Sequence, residues 1–211
     1  MVILKYLLVL VCSYLLGSVS VSIFISKNVL RADVRTKGSG NAGATNMARV
    51  YGLHMGLITL AGDALKGAVS MLLGYALLGE CGMSAAAVSC ILGHCYPAMH
   101  EFRGGKGVSV GAMVLLMADW RVLAVAVVFF ALAAVLSRKV SLGSLSAALS
   151  AFIAAVVLHL CTPRLIMVAF AALLVVVRHR ENIARLLKST EPDFSLGSTK
   201  AAQTAADKDE A

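Results

Sequence analysis

The sequence predicts an all-α protein: a polytopic membrane helix bundle of about seven transmembrane helices, N-terminus outside and C-terminus cytoplasmic. Three observations predict it. First, 59% of the residues are hydrophobic and only 14% are charged, against ~45–50% and ~25% in ordinary soluble domains. With a mean hydropathy of +0.85, there is more apolar surface than a soluble fold can hide, so lipid must be the solvent for much of it. Second, seven apolar runs alternate with short polar segments. Third, those segments divide the basic residues unevenly. A net charge of +8 in a soluble protein would raise nucleic acid as a partner. Here the cations sit in short loops between apolar runs, which points to headgroups, topology or anionic substrates, and no nucleic acid is expected.

The runs cover residues 2–26, 54–79, 83–99, 108–118, 122–137, 142–161 and 165–177. Crossing the ~30 Å hydrocarbon core takes about 20 residues, so the fourth, fifth and seventh look short. Merging 108–137 into one span would leave Asp119 and Arg121 near mid-bilayer, which is costly without partners. It would also send the basic C-terminal segment outside. With seven spans, only Lys5, Arg121 and Arg164 fall outside and Lys66 lies within a span; the rest of the 19 Lys and Arg lie inside. The first run imitates a signal peptide, with Lys5 before an apolar stretch and small residues at Gly17–Ser20. Its length and the basic loop that follows argue against cleavage. Residues 1–191 read as one membrane domain, and 192–211, polar and charged, as a disordered tail. Cys12, Cys81, Cys90, Cys95 and Cys161 form no CxxC pair and read as inert thiols.

Three polar segments carry chemistry. The first runs from Lys37 to Arg49 and contains Gly38, Gly40 and Gly43, a literal GxGxxG with Asp63 twenty positions beyond. The context is wrong for a dinucleotide fold, because a membrane span and a charged loop precede the glycines rather than a strand. Glycine still lets backbone approach a ligand closely, and Ser39, Asn41, Thr45 and Asn46 add hydrogen-bonding groups beside Arg49. The second segment, Gly93 to Val108, ends in Gly104-Gly105-Lys106-Gly107. It lacks the outer glycine and the hydroxyl of a Walker A loop, yet such a turn at a helix start, with the Lys106 ammonium, suits a phosphate. His94 in this segment reads equally as a helix-end histidine or as a ligand group. The third, Arg178 to Glu191, puts Arg178, Asn182 and Arg185 on one helical face, with Glu181 able to pair with Arg185. A basic amphipathic helix lying on lipid is the plain alternative, but it leaves His179 and Asn182 unexplained. Asp63 and Lys66 stand at i, i+3 inside a span and are expected to pair. In the seven-span topology all three segments share the inside face.

Gly-Ser-Gly-Asn-Ala-Gly-Ala-Thr-Asn with Arg49, the run from Gly93-His94 to Gly-Gly-Lys-Gly-Val, and Arg-His-Arg-Glu-Asn-Ile-x-Arg resemble the three cytoplasmic motifs of the PlsY family. These are bacterial membrane glycerol-3-phosphate acyltransferases whose donor is acyl phosphate. The resemblance extends from the first span to about Glu191, with Ser189 standing where the family usually has Gly and His100-Glu101 differing nearby. It implies catalytic positions at Ser39, Arg49, Lys106, His179 and Asn182. Substrate contacts are expected at Gly40, Asn41, Gly43, Thr45, Asn46, His94, Gly104 and Gly105. It also implies glycerol 3-phosphate and acyl phosphate as substrates, the soluble enzyme that makes acyl phosphate as a partner, and a multi-pass protein of the bacterial inner membrane with a cytoplasmic active site.

Acyl phosphate is a mixed anhydride whose phosphate leaves readily. The protein's tasks are then to hold two polyanions together, orient the glycerol hydroxyl and stabilise the oxyanion. His179 is the candidate general base; it could instead bind phosphate while a substrate phosphate takes the proton. No cofactor is called for, and no metal-ligand spacing is present. An acyl-CoA-dependent enzyme would carry His-x4-Asp; five residues beyond the histidines stand Thr59, Met99, Gly105, Arg164 and Ala184. A transporter would place its ionisable groups near mid-membrane, where only Asp63 and Lys66 stand.

Overall fold

The computed structural model describes residues 1–194, and among them the chain is helix and turn with no strand. The first apolar run is two helices, α1 (Val2–Ser18) and α2 (Val21–Asn28). They part at Val19, in extended conformation, and the Ser20 hydroxyl accepts from the Ile23 amide to start α2. The break frees two carbonyls, and the Lys66 ammonium donates to both, Gly17 O at 3.0 Å and Val19 O at 2.6 Å. After the glycine loop comes α3 (Ala44–Tyr51), a short helix where the sequence reads as loop.

The 43-residue α4 (Leu53–Cys95) is a hairpin. Leu78 and Gly79 leave helical geometry, Gly79 with φ 62°, and the two arms fold back so tightly that a Cβ on Gly74 would stand 2.3 Å from the Gly82 carbonyl oxygen. The second and third apolar runs are these arms. Next come α5 (Val108–Ala118), α6 (Trp120–Ser137), α7 (Val140–Val157), α8 (Thr162–Arg178) and α9 (Arg180–Leu187). The run 108–137 is interrupted, as the cost of burying Asp119 and Arg121 requires. Asp119 is extended and its carboxylate accepts from the Arg121 amide at 2.8 Å, capping α6.

Four stretches have the length and apolarity of a membrane span, five if α8 and α9, bent by 57°, count as one. This is an integral membrane protein. At 11 residues, α5 rises only about 16 Å. Its Val110 and Val114 are fully buried and pack with Ile91, Val122 and Val168, while Leu65, Val135 and Leu136 stand exposed on the outer faces.

One end of the bundle is closed by Arg164 of α8, which reaches Glu80 in the α4 turn at 2.6 Å and the Ala118 carbonyl at 3.0 Å. The other end gathers the three polar segments. The chain is held there past residue 191: Asp193 pairs with Lys139 at 2.8 Å and the Phe194 amide donates to the Arg138 carbonyl at 2.8 Å. From residue 195 onward the expected tail lies outside the described residues.

Candidate active site

The glycine loop is shaped by one buried amide. Asn46, 1% exposed, accepts from the Ser39 amide at 2.9 Å and donates to the Val34 and Lys37 carbonyls at 3.1 and 3.0 Å. Gly38 and Gly40 take φ of 58° and 70° to make this wrap possible. Both protons of the Asn46 amide are spent on its own loop, so it acts by holding Ser39, Asn41 and Gly43 in place. Arg49, on α3, makes no hydrogen bond or ion pair among the described residues.

The second segment folds back onto the end of α4. The Gly105 amide donates to the His94 carbonyl at 3.1 Å, and Arg178 clamps the turn through the Gly105 and Gly104 carbonyls at 3.2 and 3.3 Å. The Arg178 guanidinium also lies 4.8 Å from the Tyr96 ring centre. A side chain on Gly104 would meet the His94 carbonyl at 2.1 Å. These glycines are there for packing, and the Gly105 amide is already used. Gly107, at φ 82°, then starts α5 and leaves the Lys106 ammonium bonded to the Asn182 side-chain oxygen.

The third segment bends at His179, so Arg178 belongs to α8 while Asn182 and Arg185 belong to α9. The expected Glu181–Arg185 pair gives way to a different one. The chain turns back through Ser189, at φ 55°, and brings Glu191 under α9. Glu191 accepts from Ser141 at 2.6 Å, Asn182 at 2.7 Å and Arg185 at 2.7 Å. Asn182 therefore bridges Lys106 to Glu191, its oxygen facing the cation and its nitrogen the carboxylate.

Burial pushes His179 down to about 4, against the pull of its bond to the Val175 carbonyl, and Lys106 adds to the fall. Burial likewise pushes Lys106 down to about 8, with Arg185 contributing. Glu191 is held below its ordinary value: burial opposes this, but the bonds from Ser141, Asn182 and Arg185 prevail. The His179 Nδ1 lies 2.8 Å from the Val175 carbonyl oxygen. That oxygen can only accept, so Nδ1 carries the proton and the neutral ring has a lone pair at Nε2.

A cavity of about 360 Å³ brings these groups together. Of the residues the sequence singles out, Ser39, Asn41, Gly43, Thr45, Asn46, Arg49, His94, Lys106, His179 and Asn182 line it; Gly40, Gly104 and Gly105 do not. Ser141, Arg185 and Glu191 also line it. Ser141 has no signal in the sequence, being one hydroxyl at the head of an apolar run.

Residues 7–189 match the family described as glycerol-3-phosphate acyltransferase. The chain belongs to that family. A glycerol-3-phosphate acyltransferase of Syntrophotalea carbinolica is 39% identical over 90% of this chain and 98% of its own length. One from Caulobacter vibrioides is 41% identical over 93% and 90%. Among solved structures, PlsY, an integral membrane glycerol 3-phosphate acyltransferase crystallised in its glycerol 3-phosphate form, superposes with a TM-score of 0.85 at 33% identity, covering 90% of this chain and 96% of that one. Its lysophosphatidic acid form superposes with a TM-score of 0.82 at 32% identity, covering 94% and 98%.

In this acyltransferase the polar cavity continues into an apolar groove of about 280 Å³. Leu60, Val108, Phe130 and Ser144 line both. Beyond them Gly111, Ala112, Ala147, Ala151 and Ala171 leave a slot between α5, α6, α7 and α8, walled also by Leu115, Leu123, Val127 and Val175.

Proposed function

We propose that this acyltransferase takes its acyl group from acyl phosphate and delivers it to glycerol 3-phosphate, releasing lysophosphatidate and phosphate on the cytoplasmic face of the bacterial inner membrane. The observation that carries the reading is a cation-rich polar cavity opening directly into an apolar slot. The substrates have that shape, phosphates at one end and a hydrocarbon chain at the other. Arg49 and Lys106 neutralise the phosphates, and Ser39 with the nearby loop backbone adds donors. The acyl chain lies in the slot, with its carbonyl where the slot meets the cavity.

His179 accepts the glycerol hydroxyl's hydrogen bond at Nε2 and aims its oxygen at the acyl carbonyl. Its Nδ1 proton is already given to Val175, so His179 has no proton to donate to a phosphate. An imidazole pushed to about 4 orients that proton rather than keeping it; a substrate phosphate, with a second pKa near ~6 in monoesters, is the stronger base. The hydroxyl oxygen bonds to the acyl carbon, the anhydride C–O bond breaks, and the phosphate leaves with the proton. Acyl phosphate comes from the soluble enzyme that makes it.

The membrane reading is seven crossings, N-terminus outside. It is supported by the alternation of chain turns between the two ends of the bundle: Leu78–Gly79, Asp119 and the α7–α8 loop at one, and the three polar segments and the α6–α7 turn at the other. Cys81, exposed just past the α4 turn, tests it. An impermeant thiol reagent should label a Cys81-only variant in intact cells, and labelling only after permeabilisation overturns the orientation.

The reaction itself is tested by giving purified protein labelled glycerol 3-phosphate with either acyl phosphate or acyl-CoA. Lysophosphatidate should form from the first and not the second; comparable rates from both defeat the donor assignment.

A further inference from the structure

Asp63, Lys66 and His94 form a buried polar cluster below the cavity, 1%, 8% and 4% exposed. An ammonium has three protons and no acceptor site; that of Lys66 donates to the Gly17 and Val19 carbonyls and stands 3.1 Å from the Nδ1 of His94, to which it can only be a donor. The Asp63 carboxylate lies 2.9 Å from the ammonium and supplies countercharge, but neither of its oxygens makes a hydrogen bond among the described residues. Asp63 is also 3.6 Å from His94 Nδ1, beyond hydrogen-bonding range. A donor facing Nδ1 requires a lone pair there, so the His94 proton sits on Nε2. That atom has no partner among the described residues and belongs to a side chain lining the cavity. A Cβ on Gly105 would stand 2.2 Å from it, so only glycine at 105 leaves the Nε2–H uncovered.

We propose that the Asp63–Lys66 pair is a positioning device that locks His94 as an Nε2–H donor to a phosphate oxygen of the bound substrate. This rests on the phosphate-binding reading of the cavity. The two histidines then have opposite polarity: His94 donates, while His179, its Nδ1 proton given to Val175, accepts. One cavity thereby holds an anionic oxygen against one ring and a hydroxyl proton against the other. Lys66 ties this to the α1–α2 break, because the same ammonium that satisfies the freed carbonyls sets the tautomer.

The test uses the full chain in lipid nanodiscs with ¹⁵N-histidine labelling, the His94 signals being assigned by their loss in His94→Gln. In the wild type, His94 should show protonated Nε2 and bare Nδ1, and adding glycerol 3-phosphate alone should shift the Nε2 signal. Lys66→Met should release the tautomer. A glutamine amide nitrogen overlays Nε2 and an asparagine amide nitrogen overlays Nδ1, so His94→Asn should raise a phosphate substrate's KM about tenfold more than His94→Gln, the scale of one hydrogen bond to a charged group. A KM rise confined to glycerol 3-phosphate or to acyl phosphate identifies which phosphate His94 holds. A protonated Nδ1 in the wild type, equal effects of Gln and Asn, or a loss in kcat with both KM values unchanged overturns the proposal. The histidine variants decide the matter even if Lys66→Met does not fold. If the wild type makes no product from acyl phosphate, the donor reading fails, while the tautomer and the glycerol 3-phosphate shift still judge this one.

Discussion

At the end of the bundle away from the cavity, both arginines have their own acid. Arg164 grips both oxygens of Glu80, and Arg121 is held by Asp119 at 2.7 Å. In the cavity, Arg49 has no partner among the described residues, Lys106 leans on the neutral Asn182, and Glu191, the one carboxylate in the lining, is matched by Arg185. The far end pairs its arginines internally, and the cavity leaves positive charge over. A half-buried surplus is unfavourable by itself and is relieved when an anion arrives. The difference separates cations that close the bundle from cations that no carboxylate holds.

The largest expected effect is at the surplus. Arg49→Ala and Lys106→Ala should each lower kcat/KM by ~10²-fold or more, the scale of losing one transition-state donor. Arg121→Ala, exposed on the far end, should leave turnover intact. Equal losses at both ends would break the comparison. A pH series sharpens it. Because Lys106 is pushed down to about 8, the free enzyme loses that charge as pH rises through about 8, and kcat/KM for glycerol 3-phosphate should fall over the same range. On the acid side His179 stays neutral until about 4, so no fall should come from its protonation between pH 5 and 7, a window set by that pKa to about one unit. An acidic limb that disappears in His179→Ala within that window would contradict it.

Smaller effects belong to stability. Arg164→Ala removes a half-exposed ion pair and a bond to a helix-end carbonyl, together about 1 kcal/mol; melting should fall by a few degrees while low-temperature activity persists. Smallest is Ser189→Gly. Serine is held at φ 55°, a region that costs a non-glycine residue ~1–2 kcal/mol, offset in part by glycine's greater freedom when unfolded. A gain of about 0.5 kcal/mol in unfolding free energy is expected, and a loss would show that the serine side chain contributes there.

The same contrast explains what the sequence disclosed. The polar segments were legible because Gly, Asn, Arg and Lys are conspicuous against apolar runs, and the Asp63–Lys66 pairing follows from helical spacing alone. The α4 hairpin was legible as two runs, though its turn is tighter than the residues between them suggest. Partners fixed by distant chain were not legible. Lys66 satisfies carbonyls 47 and 49 residues away, and Ser141 meets Glu191 across 50. The Glu181–Arg185 spacing was a sound local expectation that lost to a left-handed turn at Ser189. Asn46 reads as a ligand group from composition, but its amide is consumed by its own loop.

The junction of the polar cavity with the apolar slot has a kinetic consequence. Leu60, Val108, Phe130 and Ser144 stand where both meet, so an amphiphile can keep its tail in hydrocarbon while its head reacts. Encounter and release then occur in two dimensions. The concentration that governs rate is the mole fraction of the acyl donor among the surrounding lipids, not its amount per volume of water. Diluting the donor with inert lipid at fixed total quantity should slow the enzyme, and diluting the whole suspension with glycerol 3-phosphate held constant should not.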